Sequence, residues 1–132
     1  MPRGANSASK VARVHYVPDR RDVVWLDFEP TKGREIGKYR PALVLSSRDY
    51  NRQTGLLICC PISTGIRGGS TEVPIGNLDQ PSVVAANLVQ TLACQERKAK
   101  KIITATPDEF RATLLKLLPL LGALDVLDQG AV

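Results

Sequence analysis

The sequence feature that most constrains the fold is a succession of short apolar runs, separated by stretches that contain proline or glycine. The runs span residues 23–28, 42–47, 56–62, 71–75 and 82–93, and most are rich in β-branched residues. Such runs predict short strands, one or two of them from the last run. Pro74 in the fourth run predicts an outer strand at the sheet edge. Five or more short strands with one long loop predict a small, strongly curved β-sheet or barrel.

A helix is predicted where the chain changes character after residue 105. Thr106 and Glu109 have the spacing of a capping box, and Pro107 suits the first helical position. Apolar residues at helical spacing predict a stripe that packs on the sheet or on a partner: Phe110, Leu114, Leu117, Leu118 and Leu121. Pro119 is expected to disrupt the last turn, and Gly122 to end the helix. The predicted fold class is therefore α+β.

The chain of 132 residues fits a single domain. We predict this domain over residues 16–122, with a disordered basic tail over residues 1–15 and a C-terminal tail over residues 123–132. No apolar run approaches the roughly 20 residues that cross a bilayer, and the opening stretch lacks the apolar segment of a signal peptide. We therefore expect a cytoplasmic protein without a membrane partner.

The net charge of +5 comes from 18 Lys and Arg against 13 Asp and Glu. Arg3, Lys10 and Arg13 carry three of these charges in a stretch without acids, which is typical of a solvated tail. The basic run over residues 97–101 also favours a solvated face over a nucleic-acid groove. An overall basic domain is nevertheless compatible with a polyanionic partner such as RNA.

The cysteine and histidine content excludes several kinds of active site. Three cysteines, with Cys59 and Cys60 adjacent, do not make a paired disulfide framework, and no spacing typical of a zinc site occurs. We expect a reducing compartment, no metal and no cofactor. The single histidine, His15, stands outside the main body of the sequence, so a Ser-His-Asp arrangement is excluded.

Arg40 is the first candidate for chemistry, because it ends the long loop and precedes a predicted buried strand. A guanidinium held by a rigid strand suits the oxygen atoms of a phosphate. The alternative is an arginine paired with Glu35 or Asp27, which is the commoner arrangement at protein surfaces.

Ser63 and Thr64 are the second candidates, at the end of a predicted strand and just before a glycine-rich turn. Their hydroxyl groups and the neighbouring backbone N–H groups can bind an anion. The alternative is that both hydroxyls cap the turn through local hydrogen bonds. Arg67, within the same turn, adds positive charge.

The loop between the first two predicted strands carries a third group of candidates. These are Lys32, Arg34, Lys38 and Tyr39, together with the acidic Glu35. Loops of about ten residues in a compact domain are commonly functional or flexible. This one can close over an RNA strand with Tyr39 as a stacking platform, although packing of Tyr39 at the core edge is equally compatible with the sequence.

Several motifs occur in a fixed order along the chain. Residues 16–19 read YVPD and residues 22–33 read DVVWLDFEPTKG; residues 40–46 begin with Arg-Pro, and residues 61–64 read Pro-Ile-Ser-Thr. Glu35, Tyr50-Asn51 and Thr54-Gly55 fit the same order. Together these motifs resemble the MazF/PemK family of type II toxin-antitoxin endoribonucleases, over about residues 16–122.

The resemblance implies a small SH3-like curved β-barrel of about five to seven strands with a C-terminal helix. It implies a homodimeric toxin that cleaves single-stranded mRNA without a metal, in a sequence-selective way, and so inhibits translation and growth. The 2′-OH of the RNA attacks, which leaves 2′,3′-cyclic phosphate and 5′-OH ends. The family's catalytic arginine and hydroxyl fall on Arg40 and Ser63, with Thr64 adjacent and Glu35 orienting Arg40. A cognate antitoxin protein is the implied partner.

The chain departs from the family pattern at Leu88, where members often carry glutamine. Leucine cannot hydrogen-bond a base edge or a phosphate, so the family's cleavage preferences do not transfer, and Asn87 is the candidate replacement. The contrasting hypothesis is a non-catalytic SH3-like module that binds nucleic acid or protein. A DNA-binding regulator is disfavoured, because the sequence has no helix-turn-helix pattern.

Overall fold

The computed structural model describes residues 15–28 and 39–130. In this part of the chain seven strands form one curled antiparallel sheet: β1 (Asp22–Asp27), β2 (Tyr39–Val44), β3 (Leu56–Ser63), β4 (Glu72–Ile75), β5 (Ser82–Ala85), β6 (Gln90–Ala93) and β7 (Lys100–Thr104). The strand order is β4-β5-β3-β2-β1-β7, and β6 pairs with the first half of β3. Pro74 therefore lies in an edge strand, as predicted. The expected α+β fold with a curved sheet of five to seven strands is confirmed.

Three helices accompany the sheet in the described chain: α1 (Arg48–Thr54), α2 (Pro107–Leu120) and α3 (Ala123–Gly130), and a short 3-10 turn spans Ala86–Leu88. The capping box predicted for α2 is present. The Thr106 hydroxyl accepts from the Glu109 backbone N–H at 3.0 Å, and the Glu109 carboxylate accepts from the Thr106 N–H at 2.9 Å. Pro119 lies inside the last turn of α2, and Gly122, with a φ of 77°, separates α2 from α3.

Most of β1 and β3 and the second half of β2 are buried on both faces, which explains why the sequences of these parts are continuous apolar runs rather than alternating ones. The side chains of neighbouring residues in a strand pack into different cores. Val23 and Leu43 pack with Leu117 of α2 in the first core, which we call the helix core. Val24 and Ala42 pack in a second cluster on the other face, which we call the sheet core.

The apolar stripe of α2 is confirmed over most of its length. Leu117 is buried in the helix core, and Phe110 and Leu114 pack against it. Leu121, just after the end of α2, is 65% exposed and does not pack on the sheet of this chain. For Leu121, packing on a partner stays a prediction.

Helix α1 and strand β7 were not predicted. Helix α1 begins after Ser47, whose hydroxyl accepts from the Tyr50 N–H at 3.2 Å, and ends at Gly55, with a φ of 75°. Strand β7 begins inside the basic run that was expected to be a solvated face. Lys101 of that run lies 3.4 Å from the carboxylate of the buried Asp22, which also accepts from the Tyr16 hydroxyl.

The structure corrects the predicted bounds of the second strand and of the C-terminal segment. Strand β2 begins at Tyr39, before the expected start at residue 42, and ends at Val44. The segment predicted as a C-terminal tail over residues 123–132 forms α3 through Gly130. The predicted basic tail lies outside the described residues apart from His15, which is exposed.

Candidate active site

An open cleft of about 480 Å³ lies where β2 begins and β3 ends. We call it the arginine cleft. Strands β2 and β3, the loop between β3 and β4, and the 3-10 turn all contribute to it. The residues that matter for its chemistry are Arg40, Ser63, Arg67, Thr71, Glu72, Asn87 and Leu88. The cleft thus brings together four residues that the sequence analysis predicted for the site: Arg40, Ser63, Arg67 and Asn87.

The register of β2 and β3 explains why Arg40 and Ser63 meet. Ala42 pairs with Pro61 in this antiparallel ladder. The paired ladder ends at these two residues, and its register, continued by two residues along each strand, directs Arg40 and Ser63 to the same face of the sheet. Both residues line the arginine cleft. A guanidinium and a hydroxyl in one open cleft can contact the same phosphate.

The Arg40 side chain is half-buried, and its backbone pairs with Leu26 of β1. Within residues 15–28 and 39–130, no hydrogen bond or ion pair involves its guanidinium, so it is not paired with Asp27. Glu35, the other partner considered from the sequence, lies outside the described residues. The planar group is therefore open to the cleft from a rigid strand, the arrangement suited to a bidentate contact with an anion.

Ser63 makes the local hydrogen bond that the sequence suggested. Its Oγ accepts from the Gly65 backbone N–H at 2.9 Å. This contact uses one lone pair and leaves the hydroxyl proton to donate to a ligand. Turn capping and anion binding are therefore compatible functions of the same hydroxyl. The N–H of Gly65 fixes the position of the oxygen within the cleft.

Glu72, at the start of β4, is a cleft residue that the sequence analysis missed. Its carboxylate accepts from the backbone N–H of Arg67 at 3.1 Å and from that of Gly68 at 2.8 Å. Gly68 has a φ of 77°, a backbone conformation that glycine adopts without strain. The carboxylate thus holds the turn that carries Arg67 over the cleft. No sequence signal could have identified it, because the contact is made across a glycine-rich loop.

The far side of the cleft is formed by the 3-10 turn. The Thr71 hydroxyl donates to the Asn87 Oδ1 at 3.1 Å, which orients the amide and leaves its two N–H donors for a ligand. Leu88, next to it, is 52% exposed. A leucine so exposed in a polar cleft has no role in the core, and it occupies the position where a hydrogen-bonding side chain was expected.

Thr64 and Tyr39 lie away from the arginine cleft. Thr64 follows the last residue of β3 and does not line the arginine cleft. It lines a second cavity of about 250 Å³ together with Trp25 and Pro41. We call this cavity the tryptophan pocket. The Tyr39 ring stacks on Trp25 with centroids 5.9 Å apart, and its hydroxyl donates to the Lys98 carbonyl at 2.9 Å.

Four further predicted residues cannot be placed relative to either cavity. Lys32, Arg34, Glu35 and Lys38 lie outside the described residues. Their assignment to RNA binding, and that of Glu35 to catalysis, remain predictions from the sequence.

The cysteines are not arranged for nucleophilic chemistry. Cys59, Cys60 and Cys94 are buried and unpaired. Burial raises the pKa of the thiols of Cys59 and Cys60 to about 12, and it also raises the pKa of Cys94. At neutral pH these thiols are protonated, and the thiolate is the nucleophilic form.

Among the described residues, no group of three or more His, Cys, Asp or Glu side chains is placed to hold a metal ion. None of their helices is long and apolar enough to span a membrane.

The curled sheet and the cleft define a small β-sheet protein with an arginine and a hydroxyl side by side in an open groove. Comparison with known proteins identifies the family to which such a protein belongs. Residues 19–121 match the family described as the PemK-like, MazF-like toxin of type II toxin-antitoxin systems. The chain belongs to this family.

Individual relatives agree with the assignment. The endoribonuclease toxin MazF of Escherichia coli K12 is 39% identical over 107 residues, which cover 81% of this chain and 96% of that protein. The crystal structure of MazF from Deinococcus radiodurans superposes with a TM-score of 0.74 at 39% identity, covering 82% of this chain and 99% of that one. A MazE-MazF crystal structure from the same organism gives a TM-score of 0.77 at 39% identity, with 82% and 98% covered.

Proposed function

We propose that this protein is the toxin of a type II toxin-antitoxin system, an endoribonuclease that cuts single-stranded RNA in the arginine cleft. One observation carries the proposal within the family assignment. Arg40 and Ser63 face the same cleft from neighbouring strands, and the guanidinium has no partner among the described residues. A module that only bound RNA would not need a guanidinium and a hydroxyl aimed at one point.

The proposed reaction uses a nucleophile that the RNA supplies. The 2′-oxygen attacks the adjacent phosphorus and loses its proton, and the bond from phosphorus to the 5′-oxygen breaks. The leaving 5′-oxygen takes up a proton, so the products are a 2′,3′-cyclic phosphate and a 5′-OH. This chemistry requires no cysteine nucleophile, which agrees with the three buried thiols. The protein positions the backbone and stabilises developing charge.

Each of the cleft residues has a different role in the proposed reaction. The Arg40 guanidinium binds the non-bridging phosphate oxygens, where negative charge grows in the pentacoordinate transition state. The Ser63 hydroxyl, held by the Gly65 N–H, donates to the same phosphate or orients the 2′-OH. Arg67 and Asn87, which also line the cleft, contact the flanking RNA backbone. These roles are proposals for the residues that the structure brings together.

The proposal extends to the partners of the protein. The similar structure from Deinococcus radiodurans is a MazE-MazF complex. For this chain we expect a cognate antitoxin that competes with RNA for the basic cleft, because an acidic segment and an RNA backbone present the same charge. We further expect a homodimer that acts in the cytoplasm on mRNA and so inhibits translation.

The test is cleavage of a mixed-sequence single-stranded RNA by the purified protein in excess EDTA, beside a DNA of the same sequence. We expect cleavage of RNA alone. Arg40→Ala should lower the rate by about 10²- to 10³-fold, the usual cost of removing one group that stabilises a developing oxyanion. Arg52→Ala is the matched control, because it removes the same charge from an exposed pair with Asp49 on α1.

The contrasting function is a non-catalytic module that binds RNA in the same cleft. Folded wild-type protein that binds the RNA, shifts its mobility and leaves it intact over many hours would establish that function and exclude the endoribonuclease. Cleavage that stops in EDTA and returns with a divalent cation would exclude the metal-independent mechanism.

A further inference from the structure

The tryptophan pocket lies close to the arginine cleft and is unused by the proposed chemistry. Arg40 and Ser63 line the cleft, and the residue that follows each of them, Pro41 in β2 and Thr64 just after the end of β3, lines the pocket. Pro41 points to the face of β2 opposite that of Arg40, so the two cavities lie on opposite faces of the same end of the sheet. An RNA strand whose phosphate lies on Arg40 can reach the pocket by crossing the end of β3.

The pocket offers an aromatic surface that is fixed in place. Trp25 is 36% exposed although it stands in a strand whose neighbours are fully buried. Tyr39 stacks on it with an angle of 7° between the rings, and the Tyr39 hydroxyl is bound to the Lys98 carbonyl. Tyr39 does not line the pocket, so the part of the indole that does is a different part of its surface. Exposed aromatic rings of this kind are surfaces on which unstacked bases pack.

The polar residues of the pocket are free to read a base edge. Asn77, Asp79 and Gln80 follow β4 in one short loop and line the same pocket as Trp25. Among the described residues, none of these three side chains makes a hydrogen bond or an ion pair. The cavity of about 250 Å³ lies below the ~300–1,000 Å³ typical of sites for drug-sized ligands, so it suits a single ring system.

The loop that carries these residues is tied down at its start. The Gly76 backbone N–H donates to the Glu109 carboxylate at 2.8 Å, and the other oxygen of that carboxylate closes the capping box of α2. Asn77 has a φ of 64°, a left-handed conformation that asparagine tolerates better than most residues. Leu78 packs against the helix core. The polar groups are thus presented from an anchored loop.

We propose that the tryptophan pocket binds one base of the RNA next to the scissile phosphate, and that Asp79 selects a base with an exocyclic amine over uracil. The inference rests on the proposed function, because it takes the arginine cleft as the phosphate site. A carboxylate only accepts hydrogen bonds. It therefore accepts from the exocyclic amine of cytosine, adenine or guanine. Uracil has one ring N–H on the same edge, but a carbonyl oxygen flanks this N–H on each side and repels an approaching carboxylate.

A direct test uses Trp25, the only tryptophan of the chain, as a fluorescent reporter. The probes are 2′-O-methyl oligocytidylate and oligouridylate, which lack the attacking hydroxyl and differ in the group that Asp79 reads. We expect both to quench the fluorescence of Trp25, with half-saturation for oligocytidylate at a concentration on the order of tenfold lower. Asp79→Asn should bring the two titrations together. Asp125→Asn, on α3, removes the same charge elsewhere and should leave the preference unchanged.

Cleavage of ordinary RNA, measured separately, distinguishes the two proposals. Base-dependent quenching by a protein that never cuts RNA would support the pocket and overturn the endoribonuclease. Cleavage by a protein whose Trp25 fluorescence does not respond to saturating oligonucleotide would do the reverse. Equal binding of the two probes by the wild type, or an unchanged preference in Asp79→Asn, would also overturn the role of Asp79.

Discussion

The arginine cleft and the tryptophan pocket meet at the same end of the sheet and differ in the side chains that they offer to a ligand. The cleft offers a guanidinium, a hydroxyl and an amide, and the pocket offers an indole ring with a carboxylate. In β2, Arg40 lines the cleft and Pro41 lines the pocket, and at the end of β3 the same division falls between Ser63 and Thr64, the residue after the strand. The alternation of side chains in β2 thus places the proposed phosphate site and the proposed base site on opposite faces of one sheet.

A second feature shared by the two sites is the way each loop is held. The turn beside the cleft is fixed by Glu72, whose carboxylate accepts from the N–H groups of Arg67 and Gly68. The loop beside the pocket is fixed by Glu109, whose carboxylate accepts from the Gly76 N–H. Each loop is thus held by its own glutamate, so the loop of one site can be released by a substitution that leaves the loop of the other site in place.

Substitutions of Arg40, in the arginine cleft, should have the largest effect on the rate of RNA cleavage. Arg40→Ala is expected to lower the rate of RNA cleavage by about 10²- to 10³-fold. Arg40→Lys should recover only part of the loss, because lysine keeps the charge and lacks the planar fork. Single-turnover cleavage at saturating RNA measures both. Equal rates for Arg40→Lys and the wild type would show that charge alone is needed and that the bidentate contact is absent.

The neighbouring hydroxyls should respond differently. Ser63→Ala is expected to lower the rate at saturating RNA by about 10- to 100-fold, the range for a hydrogen bond to a charged group. Ser63→Thr keeps the hydroxyl and should restore most of the activity. Thr64→Ala should act on the concentration of RNA needed for half-maximal rate, by about threefold. A larger loss of rate for Thr64→Ala than for Ser63→Ala would place the reacting phosphate on the other face of the sheet.

The two glutamates sharpen the comparison further. Glu72→Ala frees the turn that carries Arg67 and should lower the cleavage rate by about tenfold, since small displacements in an active site are costly.

Glu109→Ala frees the loop of the pocket and should weaken the preference for cytosine, measured by Trp25 quenching, more than it lowers the cleavage rate. It also removes half of a capping box, so the free energy of unfolding should fall by about 1 kcal/mol in a urea titration. Equal effects of both variants on both readouts would mean that the sites are not separate.

The smallest expected effect is at Leu88. Leu88→Gln places a hydrogen-bonding amide at an exposed position of the cleft, so the fold should be unaffected. One additional neutral hydrogen bond should tighten RNA binding by about two- to tenfold. Fluorescence anisotropy with a labelled 2′-O-methyl RNA measures this change. Weaker binding would show that the leucine itself makes a favourable contact with the RNA.

The fold was predictable where burial dominates local structure. Most of β1 and β3 and the second half of β2 are buried on both faces, so their apolar runs are long enough to recognise. Helix α1 escaped recognition because it has no apolar periodicity. It is held by its cap and by Asn51, whose side chain is 2% exposed and donates to the Pro18 carbonyl at 2.8 Å. Strand β7 escaped because its first two residues are lysines.

The site was predictable in part, for a similar reason. Arg40 and Ser63 follow from the strand ends that carry them, and the structure brings them to one cleft, although their catalytic roles stay predictions. The division between Ser63 and Thr64 depends on which face each residue takes, and a sequence read one motif at a time does not show it. Glu72 and Glu109 hold their loops through contacts between separate segments of the chain, so no local sequence pattern indicates these roles.

The most direct test of the proposed mechanism blocks the attacking group in the RNA instead of changing the protein. After the preferred cleavage site of an RNA is mapped in EDTA, a single 2′-O-methyl group is placed on the nucleotide before that bond. The mechanism predicts that this bond alone becomes resistant, and that the unmodified RNA yields 2′,3′-cyclic phosphate and 5′-OH ends. Cleavage at the methylated nucleotide, or 5′-phosphate ends from either RNA, would contradict attack by the 2′-oxygen.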